Sequence, residues 1–127
     1  MLIHSTVLSA TGISASTTLA RTKLTGEVPN AGTINSLELD FSSISSATIV
    51  LKLTLSWIDA DRRYLVNPES SLVINLDADD ATKGSYELAV TKEFNAVPAD
   101  ATGIWLGIDL AAGTATVAAY LNIRGHA

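Results

Sequence analysis

The stretch NLDADDATKG, residues 75–84, sets the carboxylates Asp77, Asp79 and Asp80 just ahead of a lysine and a glycine. Oxygen ligands at alternate positions of a short loop are what a hard cation needs, since Ca²⁺ gathers roughly six to eight of them. A second Asp-Ala-Asp triplet, Asp59 and Asp61, stands in SWIDADRRYLV. An EF-hand loop also requires glycine at its sixth position and glutamate at its twelfth. Counted from Asp77, those positions hold Thr82 and Leu88. The EF-hand motif is therefore absent, and Asp77, Asp79 and Asp80 stay calcium candidates only if their loop converges with that of Asp59 and Asp61. The simpler reading is a hairpin turn, because aspartate bonds nearby backbone amides and Gly84 can take a positive φ. No metal and no cofactor is expected.

Other chemistries fare worse. His4 and His126 stand near the two ends of the chain, without a serine or carboxylate pattern that would make either a catalytic base. Cysteine is absent, which removes disulfides, thiolate nucleophiles and cysteine-held metals. No phosphate loop, zinc-spaced histidine pair or nucleophile elbow occurs. Thirteen acidic residues make chance carboxylate pairs easy to find, so a glycosidase pair carries little weight. No enzyme is expected. A net charge of −5 with the basic residues scattered, Arg62 and Arg63 being the adjacent pair, argues against nucleic acid, which requires a basic patch to displace counterions. No apolar run approaches the roughly 20 residues that a membrane-spanning helix requires. The apolar N-terminus lacks the basic start and unbroken apolar centre of a signal peptide.

The elements that would position any site follow a period of two. In SATIVLKLTLSWID, Ile49, Leu51, Leu53, Leu55 and Trp57 share one parity while Lys52, Thr54 and Ser56 share the other. That alternation is the mark of a half-buried strand. It recurs as Leu37, Leu39 and Phe41; as Leu72, Ile74 and Leu76; and as Tyr86, Leu88 and Val90. Near the C-terminus the inward sets are Ile104, Leu106, Ile108 and Leu110, then Val117, Ala119, Leu121 and Ile123. The short link AAG, residues 111–113, predicts that these last two strands pair as a hairpin. Turn signals VPNAGT, NPES, DADDATKG and VPADATG punctuate the strands, with room for one short helical turn near PADAT.

With 47% hydrophobic and 17% charged residues, 127 residues suffice for one packed domain. The expected architecture is all-β: a single-domain antiparallel β-sandwich or jelly roll of about eight strands over residues 1–127. The serine- and threonine-rich residues 1–20 admit two readings, a pair of ordinary strands or an extended arm laid on the sheet edge of a neighbouring molecule. The interface candidates are Arg62, Arg63, Tyr64, Trp105 and Tyr120. Arginine and tyrosine are enriched at interfaces, while Arg62 and Arg63 are equally well explained as surface partners of Asp59 and Asp61. Trp105 and Tyr120 fall opposite the aliphatic parity of their strands, so both are expected on one outer sheet face, packed under a loop or a subunit or open to a sugar ring.

A cysteine-free β domain with an uncharged N-terminal stretch and short strands such as AAGTATVAAYLNI resembles the small decoration, or cement, proteins of tailed bacteriophage capsids. The resemblance implies a structural protein made in the host cytoplasm and carried on the capsid surface of the virion. Its partners would be copies of itself, as a homo-oligomer with a trimer favoured, and the major capsid protein or another virion protein. The alternative from the residues is a carbohydrate-binding or adhesion module whose stacking surface is Trp105, Tyr120 and Tyr64. A fimbrial or tail subunit that shares sheet edges in open filaments is the third reading.

Overall fold

The computed structural model describes residues 3–44, 48–60, 64–65, 70–75 and 84–126, with the backbone alone at 3, 4, 48, 49 and 70–75. The described residues form eight strands: β1 (Ile3–Ala15), β2 (Ala20–Leu24), β3 (Gly32–Ile44), β4 (Thr48–Ser56), β5 (Ser70–Asn75), β6 (Gly84–Phe94), β7 (Ile104–Leu110) and β8 (Ala115–His126). They make two four-stranded sheets, ordered β1-β8-β3-β6 and β2-β7-β4-β5. Every ladder is antiparallel. The pairs β1:β8, β2:β7, β3:β6 and β4:β5 are those of one long hairpin with arms β1–β4 and β5–β8, and the further ladders β3:β8 and β4:β7 form as that hairpin rolls up. This is a jelly roll.

The topology overturns one expectation. Strands β7 and β8 do not pair, because β7 lies between β2 and β4 in the second sheet and β8 between β1 and β3 in the first. Both belong to the same arm of the long hairpin, and each has both edges occupied. Residues 111–114 therefore arch from one layer to the other, a path open to a short glycine-containing link as much as a hairpin is.

Alternation places the core. Leu37, Leu39 and Phe41 of β3, Leu51, Leu53 and Leu55 of β4, Ile104, Leu106, Ile108 and Leu110 of β7, and Val117, Ala119, Leu121 and Ile123 of β8 are all buried between the sheets. Burial of each large aliphatic side chain contributes about 1.5–3 kcal/mol. Trp57 is buried too and meets Phe94 edge to face at 5.3 Å. Tyr86, Leu88 and Val90 have the inward parity but are only half-buried, since β6 is an edge strand. The backbone of Leu72 and Ile74 lies in β5, while Leu76 is outside the described residues. The PADAT stretch makes one tight turn, with Ala101 N donating to Pro98 O at 3.0 Å.

The two long seams of the sandwich differ. At the β1 side, Ser9 N donates to Thr25 O and Thr25 N to Ser9 O, at 3.0 and 2.8 Å, so β1 is stitched to the residue following β2. At the β5–β6 side no ladder joins the sheets among the described residues. Residues 3–15 of the N-terminal stretch lie in β1, in register with β8 from Ile3↔His126 to Ala15↔Ala115, and they bury Leu8, Ile13 and Ala15.

Candidate interaction surfaces

The outer face of the first sheet is built by the polar parity of its strands. Tyr120 on β8 stands directly opposite Ser9 of β1 and Glu38 of β3, and Glu38 stands opposite Glu87 of β6. Like charges facing one another across strands cost stability, so this row of tyrosine and two carboxylates is not explained by the fold alone. One row along, Ser85 donates from Oγ to Asp40 Oδ1 at 2.6 Å. One row the other way, Asn122 Nδ2 donates to Ser36 Oγ at 2.9 Å. Val7, opposite Asn122, adds an apolar side chain that is 50% exposed.

An open groove of about 610 Å³ lies at one end of this face. It forms where β1 bulges away from β8 between Ala10 and Ile13, with Gly12 at φ 67°, a conformation glycine takes without strain. Tyr120, Asp40, Ser85, Thr116, Thr11 and Gly12 are among its walls. An aromatic ring beside a carboxylate and hydroxyls can pack on an apolar ring face and accept its hydroxyl protons.

The outer face of the second sheet carries Trp105 between Lys23 of β2 and Ser56 of β4. Its indole Nε1 donates to Thr102 Oγ1 at 2.8 Å, which ties the ring to the loop before β7 and leaves it half-buried. In the next row Gly107 separates Arg21 from Thr54. A Cβ at Gly107 would run into Thr54 Oγ1, so the glycine leaves room for the hydroxyl of Thr54, which is buried although its parity is outward. In the third row Asp109 faces Lys52.

Trp105 and Tyr120 do not share a face, which corrects the expectation. The arch at 111–114 carries the chain across the sandwich, so each residue points outward from a different sheet. Tyr64 is half-buried beside β4, held by a bridge to Ser56. Arg62, Arg63, Asp77, Asp79 and Asp80 lie outside the described residues. Among the described residues no three histidine, aspartate or glutamate side chains gather as a metal site. Sequence reading passed over Glu38, Asp40 and Glu87. Their parity in INSLELDF and SYELAVT marks them as outward, but only the β3:β6 register brings Glu38 against Glu87.

No protein-family model matches this chain, and no curated protein does. Among solved structures it is similar to a chain in the structure of infectious bursal disease virus, Gt strain, with a TM-score of 0.50 and 18% identity over 98% of this chain and 32% of that one. It thus spans about a third of that viral chain. Similarity to FlhE has a TM-score of 0.42 at 9% identity over 98% of both chains. For Eiger TNF from S. frugiperda the values are 0.46 and 11%, over 97% of this chain and 95% of that one. The viral likeness is one of fold.

Proposed function

We propose that this chain is a structural virion protein of the decoration or cement kind, which binds the outer surface of a capsid and stabilises it through protein contacts without catalysing a reaction. The observation that carries the reading is the jelly roll itself, with its two four-stranded sheets and its likeness in fold to a chain of a virus structure. Such a protein acts by area: many copies each bury a modest patch, and their summed contacts hold neighbouring shell subunits together. It is made in the host cytoplasm, joins the major capsid protein or another virion protein, and works as a small closed oligomer. The test is immunogold electron microscopy with antibodies raised against the purified chain, applied to virus-sized particles sedimented from its source. Regular label on the outer surface of the particles supports the reading, and particles without label overturn it.

The groove at Tyr120 supports a second reading, a glycan-binding or adhesion module, because Tyr120, Asp40 and Ser85 combine a ring with hydroxyl-seeking oxygens. Titration with a panel of monosaccharides separates the two. Shifts of the Tyr120 ring resonances that vanish in Asp40→Ala favour the glycan reading, and unshifted resonances remove it.

A further inference from the structure

We infer that the β6 edge is a two-fold contact between copies of this chain, in which residues 86–90 of one copy pair antiparallel with residues 86–90 of a second and merge the first sheets of both into one eight-stranded sheet. The inference deepens the proposed function by naming the contact that closes its oligomer. Of the four sheet edges, β1 is already stitched to the other sheet through Ser9 and Thr25. Strand β6 is different: among the described residues its one ladder is to β3, and it runs for 11 residues. An edge of that length presents a row of backbone donors and acceptors to a further strand. Its inward side chains Tyr86, Leu88 and Val90 pack on the core but stay half-buried, as side chains do when the next strand of the sheet is missing.

The occupant follows from the strand's own pattern. A two-fold axis perpendicular to the sheet keeps inner faces together, so residue parity must match across the contact and the axis must pass through a residue position. Centred on Glu87, the pairing sets two like charges face to face. Centred on Ala89, it draws in Thr91, where a bulge against β3 and a φ of 50° bend the strand away. Centred on Leu88, it sets Leu88 against its own copy, Tyr86 against Val90 of the second copy, and Glu87 against Ala89 of the second copy. Each half-buried apolar side chain then meets another, no like charges face, and the ladder ends at Val90, the first residue of the bulge, short of the positive φ at Thr91. The bulge and the following Lys92 also guard the rest of the edge, so the contact closes as a pair and does not propagate into filaments.

The absence of native cysteine makes the register directly readable. Directly opposite antiparallel residues have Cα atoms about 4.5–5.5 Å apart, inside the range a disulfide spans. Under mild oxidation Leu88→Cys should give a covalent dimer in high yield, while Ala89→Cys, whose counterpart is Glu87, should not. Light scattering of the unmodified chain should report a dimer. Ala89→Glu, on the exposed face, places two new like-charge pairs against Glu87 and should raise the dimer dissociation constant about tenfold or more. Combining it with Glu87→Lys restores opposite charges and should restore the dimer. A monomer or a trimer in solution, crosslinking at 89 in place of 88, or no rescue by the double variant would overturn the inference. None of these outcomes bears on particle labelling, so the contact and the virion reading fail separately.

Discussion

At the scale of single residues, two backbone positions carry more than their size suggests. Gly107, in the middle of β7, has a neighbour pressed into the volume of the missing side chain, since Thr54 Oγ1 lies where a Cβ would go. Threonine is stiff about χ1, so it does not swing aside freely. Gly107→Ala should therefore cost about 1–3 kcal/mol, the usual penalty of overpacking, and Thr54→Ala on the same background should recover most of it; both are read from urea unfolding midpoints. Thr91 poses the opposite case. It is an exposed β-branched residue at φ 50°, a left-handed conformation that costs such residues about 1–2 kcal/mol. Thr91→Gly should stabilise the fold by about 0.5–1 kcal/mol once glycine's greater freedom in the unfolded chain is set against the relief of strain. Its thermal midpoint should rise accordingly.

At the scale of elements, the N-terminal strand is the informative case. Residues 1–20 offered a strand pair or an arm to the sequence reader. In the structure β1 runs alongside β8 for its full length and places Leu8, Ile13 and Ala15 in the core. Deleting residues 1–15 removes those side chains and bares an edge of β8, which holds Leu121 and Ile123 at the centre of the sandwich. The truncated chain should lose cooperative unfolding by circular dichroism, where removal of a detachable arm would leave the transition intact. The legible part at this scale was face assignment. The aliphatic parities of β3, β4, β7 and β8 all point inward because a strand has only two faces and water selects between them. Strand pairing was not legible. β7 and β8, joined by AAG, have the local signature of a hairpin, yet each is committed to partners distant in sequence.

At the scale of the whole molecule, the chain is one hairpin rolled into two layers, with β1 pairing β8 across nearly its full length in sequence. Contacts of such long range slow folding, because loop closure must be completed before they stabilise anything. Function at this scale lies in faces and edges. The β6 edge borders the Tyr120 face, to which it contributes Ser85 and Glu87, and on the proposed reading an oligomer formed by backbone pairing at that edge leaves both outer faces uncovered. The aspartate-rich stretch at 77–80 gives a further check on the assembled protein. With the stretch acting as a turn, millimolar Ca²⁺ should leave both the thermal midpoint and the solution mass unchanged, whereas a ligand bound to the native state alone raises the midpoint with concentration. A calcium-dependent rise would restore Asp77, Asp79 and Asp80 as metal ligands.

The sequence by itself determined that the chain is all-β, which side chains of most strands face the core, and that cysteine chemistry is excluded, because these follow from composition and from a period of two that each segment expresses locally. Only the tertiary structure decided that Trp105 and Tyr120 look out from opposite sheets, that Glu38 meets Glu87, and that among the described residues the edge strand β6 pairs with β3 alone while the edge strand β1 is also bridged to Thr25. Those facts depend on which strands become neighbours. Neighbours are chosen by the global packing of two layers, a competition among pairings that no short stretch of residues encodes.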